Sequence, residues 1–155
     1  MTIIAIDPGP EQSAYVIWDG SSILKRQKIE NALLVDGLLV KLLDADDLVI
    51  EKIASYGMAV GETVFETVFW SGRFAQAFYG HMKPVHRITR IAIKNHLCHS
   101  SKAKDANIRQ ALIDRIGSVG TKKFPGPLHG IAGDEWAALA VAVTWWDLHV
   151  GSKAA

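Results

Sequence analysis

Three carboxylates hold comparable places in distant parts of the chain. Asp7 closes the apolar run "TIIAI" and is followed by Pro8, Gly9 and Pro10. Glu51 closes "LVI", and Asp134 opens the apolar segment "DEWAALAVA". Each has an ordinary use. An Asp before Pro-Gly starts turns, an acid after a strand is solvated, and an Asp before a helical run caps it. Together they suggest other chemistry. Carboxylates at the ends of adjoining elements converge, and without a counter-ion they raise one another's pKa. Hard divalent cations take oxygen ligands, and Mg²⁺ needs only one or a few carboxylates because it keeps several waters. Two such ions roughly 3.5–4 Å apart activate a water and stabilise the leaving oxygen in phosphodiester hydrolysis. Asp7, Glu51 and Asp134 are therefore candidate ligands for Mg²⁺, with Mn²⁺ as a substitute.

The elements that must position these acids can be read along the chain. The β-branched run 2–6 predicts a buried strand. "SAYVIWDG" and "SSILKRQKI" follow it closely, so the three predict an antiparallel meander. In "NALLVDGLLVKLLDADD", Leu33, Leu34, Leu38, Leu39, Leu42 and Leu43 fall at helical spacing, with Asn31 as N-cap. "DLVIEKIAS" is a further buried strand, and the helix before it implies a parallel crossover. "GETVFETVFWSGRFAQAFYG" predicts a long helix with an apolar stripe of Val64, Phe65, Val68, Phe69, Phe74 and Phe78 that should be mostly core. A short strand, "KPVHRIT", a short helix, "RIAIKNHLCHS", and a helix, "KDANIRQALIDRIG", come next. The last packs Ile108, Ala111, Leu112 and Ile116 on one face and ends at Gly117. A Gly- and Pro-rich loop then leads to the final helix, 134–150. The pattern is α/β with a mixed sheet, in a single domain covering 1–155.

Composition narrows the function classes. The chain has 155 residues, 49% apolar and 21% charged, with one cysteine, Cys98. One cysteine allows no intrachain disulfide and fits a reducing cytoplasm. No apolar run reaches membrane-spanning length, and the first ten residues do not form a signal peptide. The net charge of +1 conceals an asymmetry. Residues 83–123 hold ten Lys or Arg against Asp105 and Asp114, a net of +8, while the rest holds seven against fourteen, a net of −7. A basic segment beside acidic ones suits a protein that binds a polyanion around a metal-loaded acidic site. A Walker-type NTPase is excluded because no G-x-x-x-x-G-K-[ST] run occurs. The chain is also too short for the two-domain sugar-kinase and actin-like ATPases, which likewise begin with a strand, an acid and a glycine turn.

"IIAIDPG" followed by a meander, "LVIEKIAS" after a helix, and an acid opening "ALAVA" together resemble the RuvC-type Holliday junction resolvases of the RNase H-like nuclease superfamily. "IEKIASYGMAVGETVFETVFWSGRF", "HLCHSSKAKDANIRQALIDR" and "GTKKFPGPLHG" resemble a phage- and prophage-borne branch. The resemblance implies an RNase H-like fold with a five-stranded mixed sheet. It also implies a homodimeric, Mg²⁺-dependent endonuclease that nicks four-way DNA junctions, with Asp7, Glu51 and Asp134 as its acids. One departure stands out. The family's final helix carries a second acid one turn on, and here that place is Ala137. Either Asp134 serves alone, the favoured reading, or Glu135 or His129 helps, or the chain is inactive.

The basic half supplies candidate DNA contacts. Lys102, Lys104 and Arg109 surround a helix start, where cations and backbone N–H groups both suit phosphates. Arg87 and Arg90 flank a short strand. Lys122 and Lys123 lie on the loop before Asp134, and Lys123 is the candidate to steady transition-state charge. Tyr56 or Trp70, if exposed, would stack on opened bases. His96, Cys98 and His99 match no strong zinc pattern. Two competing functions remain: an RNase H-like nuclease acting on RNA or RNA–DNA hybrid, and a non-catalytic binder of branched DNA.

Overall fold

The computed structural model describes residues 1–40 and 44–151. Five strands run Ile3–Asp7 (β1), Gln12–Trp18 (β2), Ile23–Glu30 (β3), Asp47–Lys52 (β4) and Val85–Thr89 (β5). Five helices span Asn31–Val40 (α1), Glu62–Tyr79 (α2), Arg90–Cys98 (α3), Asp105–Ile116 (α4) and Glu135–His149 (α5). The strands form one sheet in the order β3-β2-β1-β4-β5. β1–β2 and β2–β3 pair antiparallel, while β1–β4 and β4–β5 pair parallel. This is the mixed five-stranded sheet the sequence predicts.

Side-chain alternation divides the core in two. Ile4, Ile6, Tyr15, Leu48 and Ile50 pack with Leu34 and Leu38 of α1 and with Phe74 and Phe78 of α2. Ile3, Ala5, Ala14, Val16, Val49 and Ile88 face the other way and pack with α5. Both faces of β1 are thus covered, which is why its sequence is a continuous apolar run rather than an alternating one. Helix α5 is buried from Ala138 to Trp145, as a helix apolar on all sides must be. Its alanines at 138, 140 and 142 fill little space against the sheet. Burying each of Leu139, Val141 and Val143 contributes roughly 1.5–3 kcal/mol.

Three expectations need correction. Asn31 does not cap α1 with its side chain. It is buried, accepts a 2.6 Å hydrogen bond from the Ser13 hydroxyl and donates to the Gly9 carbonyl at 2.9 Å. Ser13 in turn accepts from the Gly9 N–H at 3.1 Å. This network fixes the turn that follows Asp7. A Cβ at Gly9 would lie 2.3 Å from the Gln12 carbonyl oxygen, so the turn requires glycine. Second, Leu33 of the predicted α1 stripe is exposed; Leu42, Leu43 and the side chain of Leu39 lie outside the described residues. Third, only part of the α2 stripe is core. Phe74 and Phe78 are fully buried, whereas Phe65, Val68 and Phe69 are 63%, 50% and 58% exposed. The second half of α2 covers the sheet, and the first half leaves its apolar face open. Among the described residues no helix is long and apolar enough to cross a membrane.

Candidate metal and nucleic-acid site

Strand register brings the first two acids together. Ile6 pairs with Ile50 across the parallel β1–β4 ladder, so Asp7 and Glu51 are the next pair along. Asp7 also pairs with Ala14, Ala14 with Lys28, and Glu51 with Ile88. Lys28, Ala14, Asp7, Glu51 and Ile88 thus form one row across all five strands. Paired residues share a face, and Ala14 and Ile88 pack toward α5. The row therefore presents Lys28, Asp7 and Glu51 on the α5 side, with the small Ala14 leaving room beside Asp7.

Asp134 completes the group from the start of α5. It occupies the N-cap position, but its side chain makes no capping hydrogen bond. Its carboxylate instead meets the Lys28 ammonium at 2.7 Å. Asp134 is still near enough to Asp7 to act on it. Burial, then the charges of Glu51 and Asp134, push the Asp7 carboxyl up to about 7. Glu51 is also raised, chiefly by burial, with the Arg90 guanidinium opposing. Asp7 has no hydrogen-bond or ion-pair partner among the described residues. A desolvated, unpartnered carboxylate between two others is a poor resting place for negative charge and a good one for a hard cation. The donors are all oxygen, as Mg²⁺ and Mn²⁺ prefer, so the residues present fit such an ion. Among the described residues no three His, Cys, Asp or Glu side chains stand close enough to share one ion as they are. Asp134 leans toward Lys28, and Glu51 toward Arg90.

Arg90 begins α3 directly after β5. It donates to Glu51 at 3.3 Å and, through its other terminal nitrogen, to Asp105 at the start of α4. Asp105 also raises the pKa of Asp7 and Glu51. Arg90 therefore lies inside the acidic group, at a rim it shares with Arg109. Arg87, one row earlier on the opposite face of β5, lines a cleft with Val68, Ser71 and Tyr79 of α2. Arg109 lies at the rim, with its guanidinium 4.7 Å above the ring of Trp136. Lys102 and Lys104 are exposed on the turn that enters α4. Lys123 stands over the exposed ring of Phe124 at 5.5 Å, and Lys122 is exposed beside it.

The two helpers considered for Ala137 have other attachments. The Glu135 carboxylate is buried and bound to Arg26 of β3 at 2.5 Å, and it accepts from the Ala132 N–H at 3.1 Å. Arg26 also donates to the His129 carbonyl at 3.3 Å. These contacts clamp the start of α5 to β3 and so hold Asp134 over the row of acids. The exposed His129 side chain joins none of them. His96 is held by Asp147, 2.6 Å away, rather than grouped with Cys98 and His99.

Sequence reasoning missed Lys28 and Asp105. Lys28 could have been found only from the β2–β3 register, and Asp105 only from the packing of α4 beside α3.

No protein-family model matches the chain, and no curated protein matches it. Among solved structures, the chain is similar to Thermus thermophilus RuvC with a TM-score of 0.68 at 18% identity, covering 97% of each chain. It is also similar to T. thermophilus RuvC in complex with Holliday junction substrate, with a TM-score of 0.67 at 17% identity, covering 93% of this chain and 92% of that one. With a mixed sheet ordered β3-β2-β1-β4-β5 and helices on both faces, this chain has the RuvC-type, RNase H-like fold.

Proposed function

We propose that this chain is a divalent-metal-dependent endonuclease that cuts four-way DNA junctions as a homodimer. The observation that carries the reading is the placement of Asp7 and Glu51 one step beyond the last β1–β4 pair, Ile6 and Ile50, with Asp134 near enough to act on Asp7, in a fold shared with a RuvC solved on a Holliday junction. Asp7, Glu51 and Asp134 would hold the metal, Mg²⁺ or in its place Mn²⁺. The bound ion supplies Lewis acidity and an activated water for phosphodiester hydrolysis.

The protein's own groups do the rest. Asp7, in the middle of the row, receives the cation beside the buried Glu51. Lys28 orients Asp134 through their ion pair, and adds positive charge where the phosphoryl oxygens become more negative. Lys28, which contacts an acid of the group, is a second candidate beside Lys123 for steadying transition-state charge. Lys123 and Lys122, with Lys102, Lys104, Arg109 and Arg87, are proposed to track the phosphate backbone. Such contacts give affinity and orientation rather than sequence preference. Tyr56 is exposed beyond β4 and is a candidate to stack on an opened base. The open apolar face of Phe65, Val68 and Phe69 supports the homodimer. A single domain in the cytoplasm of a host carrying the phage or prophage goes with this reading. Branched DNA other than four-way junctions falls within the proposed substrate range.

The test is cleavage by the purified protein of end-labelled four-way junction, linear duplex and RNA–DNA hybrid, each with Mg²⁺ or EDTA. Paired nicks in the junction alone, lost with EDTA, support the reading. Preferential cutting of the hybrid favours the RNase H-like alternative. Tight junction binding without cutting, in Mg²⁺ and Mn²⁺ alike, favours a non-catalytic binder and points to Ala137.

A further inference from the structure

We infer that Arg90 is a resident counter-cation of the acidic site: it competes with the divalent ion for Glu51, and DNA phosphate relieves that competition by drawing Arg90 away. The inference rests on the proposed metal role of Asp7, Glu51 and Asp134 and adds a means by which metal and DNA bind cooperatively.

Four observations carry it. Arg90 spans two carboxylates from two elements, Glu51 of β4 at 3.3 Å and Asp105 at the head of α4. Its position as the first residue of α3 anchors its backbone at the edge of the site. Its side chain is only 21% exposed, yet it borders a hollow of about 80 Å³ that opens between Asp105, Arg109, Asp134 and Ala137. The guanidinium therefore has somewhere to move without unfolding its surroundings. Finally, Glu51 is half of the central Asp7–Glu51 pair, so whatever holds its carboxylate governs the whole site.

The chemistry follows from charge. A guanidinium and a dication cannot both take the Glu51 oxygens at full strength, since each attracts the same electrons and they repel each other. Without DNA, Arg90 neutralises Glu51 and lowers its worth as a ligand. A DNA phosphate at the rim, beside Arg109, offers Arg90 a bidentate partner of the kind guanidinium groups favour. Once Arg90 turns to it, Glu51 is released to the metal. Binding of phosphate and of metal then strengthen each other by the same factor, as linkage requires. Asp105 keeps Arg90 near its exit route and restores it when DNA leaves.

Mn²⁺ binding to the DNA-free protein, read from the free-ion electron paramagnetic resonance signal, tests this without any cleavage. Arg90→Gln should bind Mn²⁺ roughly tenfold more tightly than wild type, within the usual range of a coupling free energy. Arg90→Lys keeps the charge but cannot bridge two carboxylates, and should fall between. Arg109→Gln removes a positive charge from the same rim without freeing an acid, and should change DNA-free affinity less than about twofold. Adding junction DNA in Ca²⁺-free, EDTA-treated buffer before the Mn²⁺ titration should tighten binding to wild type and leave Arg90→Gln nearly unchanged. Equal or weaker Mn²⁺ binding by a folded Arg90→Gln, with circular dichroism like wild type, overturns the inference while leaving the proposed function intact. An absence of saturable binding that Asp7→Asn weakens, in every variant, overturns the metal role itself and the inference with it.

Discussion

Asp7 and Glu51 lie side by side across the parallel β1–β4 ladder, one step beyond the Ile6–Ile50 pair. Burial, and then the charges of Glu51 and Asp134, oppose ionisation of Asp7, and burial likewise raises Glu51. The sheet thus stores an electrostatic cost at one end of its two central parallel strands. Such stored cost is characteristic of sites that bind ions or do chemistry.

That cost makes metal-free stability depend on pH. The folded pKa of Asp7, about 7, lies above its ordinary 3.8, so the folded state holds a proton that the unfolded chain gives up. The stabilisation linked to that proton is complete below about pH 4 and is lost as pH rises through 7. At 1.36 kcal/mol per pKa unit the upper bound is about 4 kcal/mol. Asp7→Asn should therefore stabilise the metal-free protein by about 1–4 kcal/mol at pH 8, and the gain should vanish near pH 4. Urea unfolding at the two pH values in EDTA checks this. An equal effect at both contradicts it.

Lys28 should matter more than Lys123. Lys28 meets Asp134 and shares a sheet row with Asp7 and Glu51, whereas Lys123 stands over Phe124 on the loop. Lys28→Ala should lower single-turnover junction cleavage by roughly 10–100-fold, in the range of lost electrostatic stabilisation. Lys123→Ala should lower it less than about fivefold. The reverse order would assign the role to Lys123.

Lys102 and Lys104 are exposed at the entry to α4. Replacing both with Ala should weaken junction binding and reduce the slope of log affinity against log salt by roughly 1–2. Fluorescence anisotropy across a salt series measures it. An unchanged slope removes this turn from the DNA path.

The exposed face of α2 carries the dimer proposal. Phe65→Asp with Phe69→Asp should convert the dimer to a monomer in light scattering. Monomer stability should shift by less than about 0.5 kcal/mol, because both rings are exposed. A wild-type protein that is itself monomeric at working concentration contradicts the proposal.

Much of the site was legible because strand-ending acids interrupt apolar runs. Asp7 and Glu51 stand out against Ile6 and Ile50, and Asp134 against the apolar segment it opens. Other features depend on tertiary registration, which local sequence does not encode. Lys28 in "ILKRQKI" joins the site only because Ala14 pairs with both it and Asp7. Arg90 stands out in sequence only as a candidate phosphate contact, and its place between Glu51 and Asp105 comes from the packing of α3 beside α4. Periodicity marked the α2 stripe as apolar without separating a core from an open face, since both require the same spacing. Asn31 matched a cap by type and position, while its hydrogen bonds serve the Gly9 turn.

The central claim is that Asp7 and Glu51 act in catalysis through a metal and not in holding DNA. Its most direct test measures junction binding and junction cleavage on the same preparations of wild type, Asp7→Asn and Glu51→Gln. The account predicts metal-free junction binding, in EDTA, no more than about threefold weaker than wild type for both variants, with cleavage in Mg²⁺ reduced by more than about a thousandfold. Wild-type cleavage by either variant would contradict the assignment of these two carboxylates.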